Sequence, residues 1–344
     1  MEALAVDRRR EANASWFAAE AERLARLCGE MAKRFGRGGR LLATGDVSDA
    51  RHVAVEFVHP VIVGKRALPA LSVTAREVEL LAEPDDMVIA FGVEAPDTPA
   101  LVIVLEPPED DPFIRQELVE TSYHLLWELV HVFLEHDERH VVHDTGAASF
   151  LYPFLGEQET DHEAVVADVR RSILMKADEI GELRAQTLTE GRDVLSAAAA
   201  AVRGAGRVLA LGNGGSATDA TDLVADLERY GRAAIDLTGD PAILTAIAND
   251  VGVEAIFSRQ VIAYGRPGDA LVALSTSGGS ANVISALAEA RRRGLATIAF
   301  VGYDGGRIAA EGLADHVVVT RSQHIPRIQE AQASAYHVLC ELVR

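Results

Sequence analysis

Four pairs of side chains in this sequence have types and spacings suited to acid–base or metal chemistry. His52 and Glu56 stand four residues apart, which places them on one face of a helix, and Gln116 and His124 stand eight apart, two helical turns. Asp222 and Asp226 repeat the first interval, and Gln329 and His337 repeat the second. An imidazole and a carboxylate one turn apart can share a divalent cation or move a proton. A solvated surface pair has the same spacing, and a histidine in an apolar helix can be a core residue, so each pair alone leaves both readings open. Their recurrence in the same order favours chemistry.

The surrounding residues recur too. Gly39-Arg40-Leu41-Leu42-Ala43-Thr44-Gly45-Asp46-Val47-Ser48 leads into His52 and Glu56, and Gly206-Arg207-Val208-Leu209-Ala210-Leu211-Gly212-Asn213-Gly214-Gly215-Ser216 leads into Asp222 and Asp226. Tyr123-His124, followed by Glu128-Leu129-Val130, returns as Tyr336-His337, followed by Glu341-Leu342-Val343. One unit is written twice, and 344 residues suit two units of roughly 150 each. The expected division is a shortened unit over 1–136, a connector over 137–162 with Gly146, Pro153 and Gly156, and a second unit over 163–344. The missing residues of the first copy are expected where the second carries Ser275-Thr276-Ser277-Gly278 and the helix after it.

Periodicity supplies the elements that must hold these residues. In the first copy it predicts helices over 11–35, 50–60 and 114–136 and strands over 40–43, 67–73, 86–92 and 100–105. In the second, a long helical stretch over 163–203 precedes strands at 207–211, 233–237, 269–274, 296–301 and 315–319, with helices between them and a last one over 325–343. This alternation is α/β: in each unit a parallel, flavodoxin-like sheet flanked by helices.

Two glycine- and hydroxyl-rich loops follow buried strands of the second copy. Gly212-Asn213-Gly214-Gly215-Ser216 lets backbone approach a ligand, and Ser275-Thr276-Ser277-Gly278-Gly279-Ser280 offers four hydroxyls before another helix. Either alone is an ordinary strand-to-helix turn. Two at the carboxyl ends of strands in one sheet mark a phosphate cradle.

With Ala246-Ile247-Ala248-Asn249-Asp250, Phe257-Ser258-Arg259-Gln260, Asp304-Gly305-Gly306 and Arg327-Ile328-Gln329-Glu330, these loops make residues 195–344 resemble a SIS (sugar isomerase) domain, specifically the phosphoheptose isomerase family. The resemblance implies isomerisation of sedoheptulose 7-phosphate to D-glycero-D-manno-heptose 7-phosphate through an enediol. It implies substrate contacts from Asn213, Gly214, Ser216, Asp250, Ser275, Thr276, Ser277, Ser280 and Gln329. The family's catalytic and metal group is a His and a Glu one turn apart with a Gln and a His on the last helix. The second copy departs from it with Asp222 and Asp226; the first retains it as His52, Glu56, Gln116 and His124, the expected ligands of a divalent metal, zinc. Glu56 is the preferred base, Asp226 the fallback, and His124 and His337 the candidate acids. Family sites lie between subunits, so a site shared by the two copies is expected, in a homodimer resembling a tetramer of SIS units. Its interface is expected on helices 50–60, 114–136 and 325–343. The alternative is a non-catalytic SIS protein that senses a sugar phosphate or bridges protein partners, which the replaced His and Glu would suit.

Composition narrows the partners. A net charge of −19 argues against nucleic acid or an anionic membrane, either of which needs a clustered basic face. No apolar stretch reaches the length of a membrane span, and Cys28 and Cys340 form no CxxC. With no secretory leader expected at the charged start, a cytoplasmic enzyme is the reading. His131, His136, His140 and His143 are not evenly placed on one helical face, and Glu109-Asp110-Asp111 reads as a solvated loop.

Overall fold

A computed structural model describes residues 3–60, 65–137 and 162–344, with side chains described from 6 to 134 outside the gap and from 162 onward. Most of the expected connector, 137–162, and the side chains of His136, His140 and His143 lie outside the described residues. The chain forms two compact units, Arg9–Gly181 and Glu182–Arg344 joined by the stretch up to Arg8.

In the amino-terminal unit, α1 (Ala3–Gly36) leads to β1 (Leu41–Gly45), α2 (Val47–Val58), β2 (Ala70–Ser72), α3 (Ala75–Leu81), β3 (Met87–Phe91), β4 (Leu101–Ile103) and α4 (Pro112–Asp137). The strands are all parallel in the order β2-β1-β3-β4, with Leu41 aligned to both Ala70 and Met87. The inner strands β1 and β3 are short apolar runs buried on both faces, as a parallel sheet covered by helices requires. Phe17, Leu24, Met31, Leu41, Phe57, Tyr123 and Trp127 fill the core. Helix α3 was not anticipated, although Thr74 and Glu77 form a capping box that announces it.

Helix α5 (His162–Glu190) belongs to the amino-terminal unit as far as Gly181; its remainder and α6 (Arg192–Gly204) precede the sheet of the carboxyl-terminal unit. The expected single helix over 163–203 is divided at Gly191. Then follow β5 (Val208–Leu211), α7 (Gly215–Arg229), β6 (Ala234–Asp236), α8 (Pro241–Asp250), a 3-10 turn (Val253–Ala255), α9 (Ser258–Tyr264), β7 (Ala270–Ser275), α10 (Ala281–Arg292), β8 (Ala296–Gly302), α11 (Gly306–Ala310), β9 (His316–Thr320) and α12 (Ile325–Val343). The sheet is parallel, in the order β6-β5-β7-β8-β9. The strand order reverses between β5 and β7, the crevice where such sheets bind ligands.

Both sheets begin with the same order, and the amino-terminal one stops a strand short. The shortening is spread more widely than expected. Residues 92–100 stand against 276–295 with its loop and α10, residues 104–111 against 303–324 with α11 and β9, and α3 alone against α8, the 3-10 turn and α9. The expected dimer surface also needs correction, because α12 from Pro326 to Cys340 and most of α4 are already buried within the single chain. A surface with no exposure cannot receive a second copy.

Candidate active site

The loop after β5 is shaped by close backbone approach: a Cβ on Gly212 would lie 2.1 Å from the carbonyl oxygen of Ser216. After β7, Gly278 has φ +58°, and a Cβ there would lie 2.3 Å from the carbonyl oxygen of Gly305, so a larger residue would push the two loops apart. Asn213 and Asn282 tie the first loop to α10 through reciprocal amide bonds, Asn213 Nδ2 to Asn282 Oδ1 at 3.0 Å and Asn282 Nδ2 to Asn213 Oδ1 at 2.8 Å. Ser275 and Ser277 order their own turn: their Oγ atoms accept from the amides of Gly278 and Gly279, both at 3.2 Å. Ser216 and Ser275 are buried, Thr276 and Ser280 half-buried, and Asn213, Gly214 and Ser277 exposed. No side chain caps α7 at Gly214 or α10 at Ser280.

The equivalent helix start in the amino-terminal unit is filled by the protein itself. Asp46 caps α2, its carboxylate accepting from the amides of Ser48 and Asp49, and Ser48 Oγ donates to it at 2.6 Å. An anion at that terminus would meet a carboxylate already in place. The phosphate loops therefore have no counterpart there for two reasons, the shortened connections and this cap.

Each unit gathers one acid–base cluster where the helix after its first strand meets its last helix. In the amino-terminal unit, His52 Nε2 lies 3.2 Å from His124 Nε2 and 3.9 Å from Glu56 Oε1. Tyr123 Oη is 3.0 Å from His52 Nδ1 and donates to Asp49 Oδ1 at 3.4 Å, an arrangement that orients the ring. Burial, and secondarily His124, pushes the His52 imidazole well below its ordinary 6.5, so it stays neutral and able to ligate a metal. Gln116 Nε2 donates to Asp49 Oδ1 at 3.4 Å, while its Oε1 is buried and accepts no hydrogen bond among the described residues, an oxygen suited to a cation. In the carboxyl-terminal unit, His337 Nε2 lies 3.3 Å from Asp222 Oδ2 and 3.7 Å from Asp226 Oδ2. Tyr336 Oη donates to Asp222 at 2.8 Å, and Arg229 pairs with Asp226 at 3.1 Å.

Among the described residues, two groups could hold a metal: His52, Glu120 and His124, and Asp222, Asp226 and His337. Glu120 escaped the sequence reading, which looked for a glutamine and a histidine; its signal is its place one turn from each on the same helix face. Tyr123 and Asp49 were missed as supports for His52, and Asn282 as the partner of Asn213. Gln329 is buried on α12. Asp250 ends α8 exposed, accepting from Asn249 Nδ2 at 2.7 Å. His131 is a buried histidine whose Nδ1 lies 2.9 Å from the Trp127 carbonyl oxygen and whose Nε2 lies 3.3 Å from that of Arg66.

Comparison with known proteins agrees with this geometry. Residues 177–302 match the SIS domain family. A phosphoheptose isomerase from Roseiflexus sp. is 47% identical over 150 residues, 41% of this chain and 74% of the relative. One from Geotalea daltonii is 41% identical over 188 residues, 53% of this chain and 90% of the relative. The solved C-terminal domain of glucosamine-fructose-6-phosphate aminotransferase from Francisella tularensis aligns over 98% of this chain and 93% of its own, with a TM-score of 0.62 and 11% identity, a likeness of fold alone. A doubly wound sheet with paired hydroxyl-rich loops at its switch point, within the matched region, makes this a SIS-domain protein. The chain belongs to the phosphoheptose isomerase family and is a ketose–aldose isomerase of sugar phosphates.

Proposed function

We propose that the chain interconverts sedoheptulose 7-phosphate and D-glycero-D-manno-heptose 7-phosphate through an enediol, as the names of its relatives suggest. The observation that carries this reading is the pair of uncapped helix starts behind the loops of β5 and β7, braced by the Asn213–Asn282 amide pair. Backbone amides there suit a phosphate dianion, with Ser216, Ser275, Thr276, Ser277 and Ser280 as hydroxyl donors. Asn213, Gly214, Asp250 and Gln329 complete the proposed substrate contacts. A carboxylate moves the proton between C1 and C2: Glu56 by preference, Asp226 otherwise. A histidine, His124 or His337, carries the hydroxyl proton. His52, Glu56, Gln116 and His124 would hold a divalent ion, for which the donor set suits zinc; when bound it would polarise the carbonyl. The shared strand order supports reading the chain as a fusion of two SIS units, the first degenerate. No helix among the described residues is long and apolar enough to cross a membrane, which accords with a cytoplasmic enzyme.

Replacing Ser275 and Ser277 together by Ala is expected to weaken sedoheptulose 7-phosphate binding at least tenfold, about 1.4 kcal/mol, by calorimetry. Unchanged affinity would place the phosphate elsewhere.

The proposed homodimer needs a surface other than α4 and α12. Helix α8 turns Leu244 toward the core, and beyond it Val251, Val253 and Ile262 are exposed at 57%, 63% and 41%. Such an apolar face suits a second copy. Light scattering at micromolar concentration is expected to give the mass of two chains; one chain would remove the dimer.

A further inference from the structure

We propose that Glu120 is a metal-binding residue of the amino-terminal unit, joining His52 and His124 as a donor to one divalent cation. This rests on the reading that the unit holds a metal, but it adds a ligand that the family resemblance does not supply. The ligand atoms of His52, Glu120 and His124 all lie within 4.8 Å of one another. The two imidazole Nε2 atoms are 3.2 Å apart. Two nitrogens at about 2.0–2.1 Å from one tetrahedral ion would stand roughly 3.3 Å apart, so the rings already hold nearly the separation they would keep around zinc.

Three independent features converge on that point. Gln116, Glu120 and His124 follow one another at successive turns of α4, which puts their side chains on one face. Tyr123 occupies His52 Nδ1, leaving Nε2 to face the cluster, and Asp49 backs the tyrosine in turn, as outer partners of metal-bound histidines do. Glu120 has no exposed surface, and His124 has none either. A buried carboxylate beside two imidazole nitrogens gives a cation both charge balance and a dry pocket. Imidazole nitrogen and carboxylate oxygen are both donors that zinc takes, so Glu120 can join the donors proposed above. The carboxyl-terminal unit has Ala333 four residues before its His337, so this donor distinguishes the units rather than repeating between them.

The test is zinc retention by the full chain against a chromogenic chelator, with bound metal counted by atomic emission. Wild-type protein is expected to keep zinc, and Glu120→Gln to lose one equivalent at chelator concentrations at least tenfold lower. Its zinc-free melting temperature is expected to stay near that of zinc-free wild type. Glu120→His, which offers another zinc donor, is expected to recover retention, and it decides the matter if Glu120→Gln fails to fold. Glu120→Gln that holds zinc like wild type, while His52→Ala releases it, would overturn the role of Glu120 and leave the metal reading intact. Glu120→His that releases zinc like His52→Ala would overturn it as well. Wild-type protein that retains no zinc would remove both.

Discussion

Glu56→Gln is expected to lower turnover of sedoheptulose 7-phosphate by about 10²–10⁴ while leaving its binding nearly unchanged, the signature of a lost general base. Glu56 is buried, and its Oε1 lies 3.9 Å from His52 Nε2. Asp226→Asn is expected to matter much less. Its carboxylate is one methylene shorter, is paired with Arg229 at 3.1 Å and stands 3.7 Å from His337, so its charge is already committed to holding local structure. Catalysis tolerates an ångström of misplacement poorly. Steady-state rates and calorimetric affinities for the two variants check the ranking, and the reverse order would make the carboxyl-terminal cluster the working one. Wild-type protein that binds the sugar phosphate with a metal supplied and converts none would favour a sensor over an enzyme.

Lys176→Met should destabilise the amino-terminal unit by about 3–5 kcal/mol, because it leaves Glu128 without its ammonium partner in the interior. The two groups are 2.7 Å apart, with 5% and 2% of their side chains exposed. Replacing both, Lys176→Met with Glu128→Leu, is expected to recover most of the loss, since an apolar pair of similar volume needs no solvation. Urea denaturation followed by the fluorescence of Trp16 and Trp127, both in this unit's core, measures the cycle. A single-variant loss below about 1 kcal/mol would show that Glu128 finds other compensation.

Much of the architecture is legible in local pattern. The apolar run 207–211 before Gly212, and 269–274 before Ser275, predict strands that the structure places within a residue, because a buried parallel strand is simply a short apolar run closed by a glycine turn. The last helix is found at 325–343 as expected, started by Pro326 in its first turn. Helix α3 was missed because its seven residues bury only Val78, too little to show a period, and only the Thr74–Glu77 cap betrays it. The break at Gly191 was missed because the apolar spacing continues on both sides of it.

The α/β class, the two glycine- and hydroxyl-rich loops and the candidate histidines and carboxylates could be read from local pattern, since each depends on residues adjacent in the chain or a helical turn apart. Tertiary structure alone decided which of them meet. His52 and His124 face each other across a sequence separation of 72, and helical spacing gives each a face without naming the element opposite. The same limit hid Glu120, whose turn on α4 becomes significant only once α2 lies against it. It also hid Asp46 closing the helix start that copies the phosphate loop, and the burial of α4 and α12 that removes them from any dimer surface. Periodicity is a property of one segment; convergence and burial belong to the pairing of segments, which the core fixes only when the chain closes on itself.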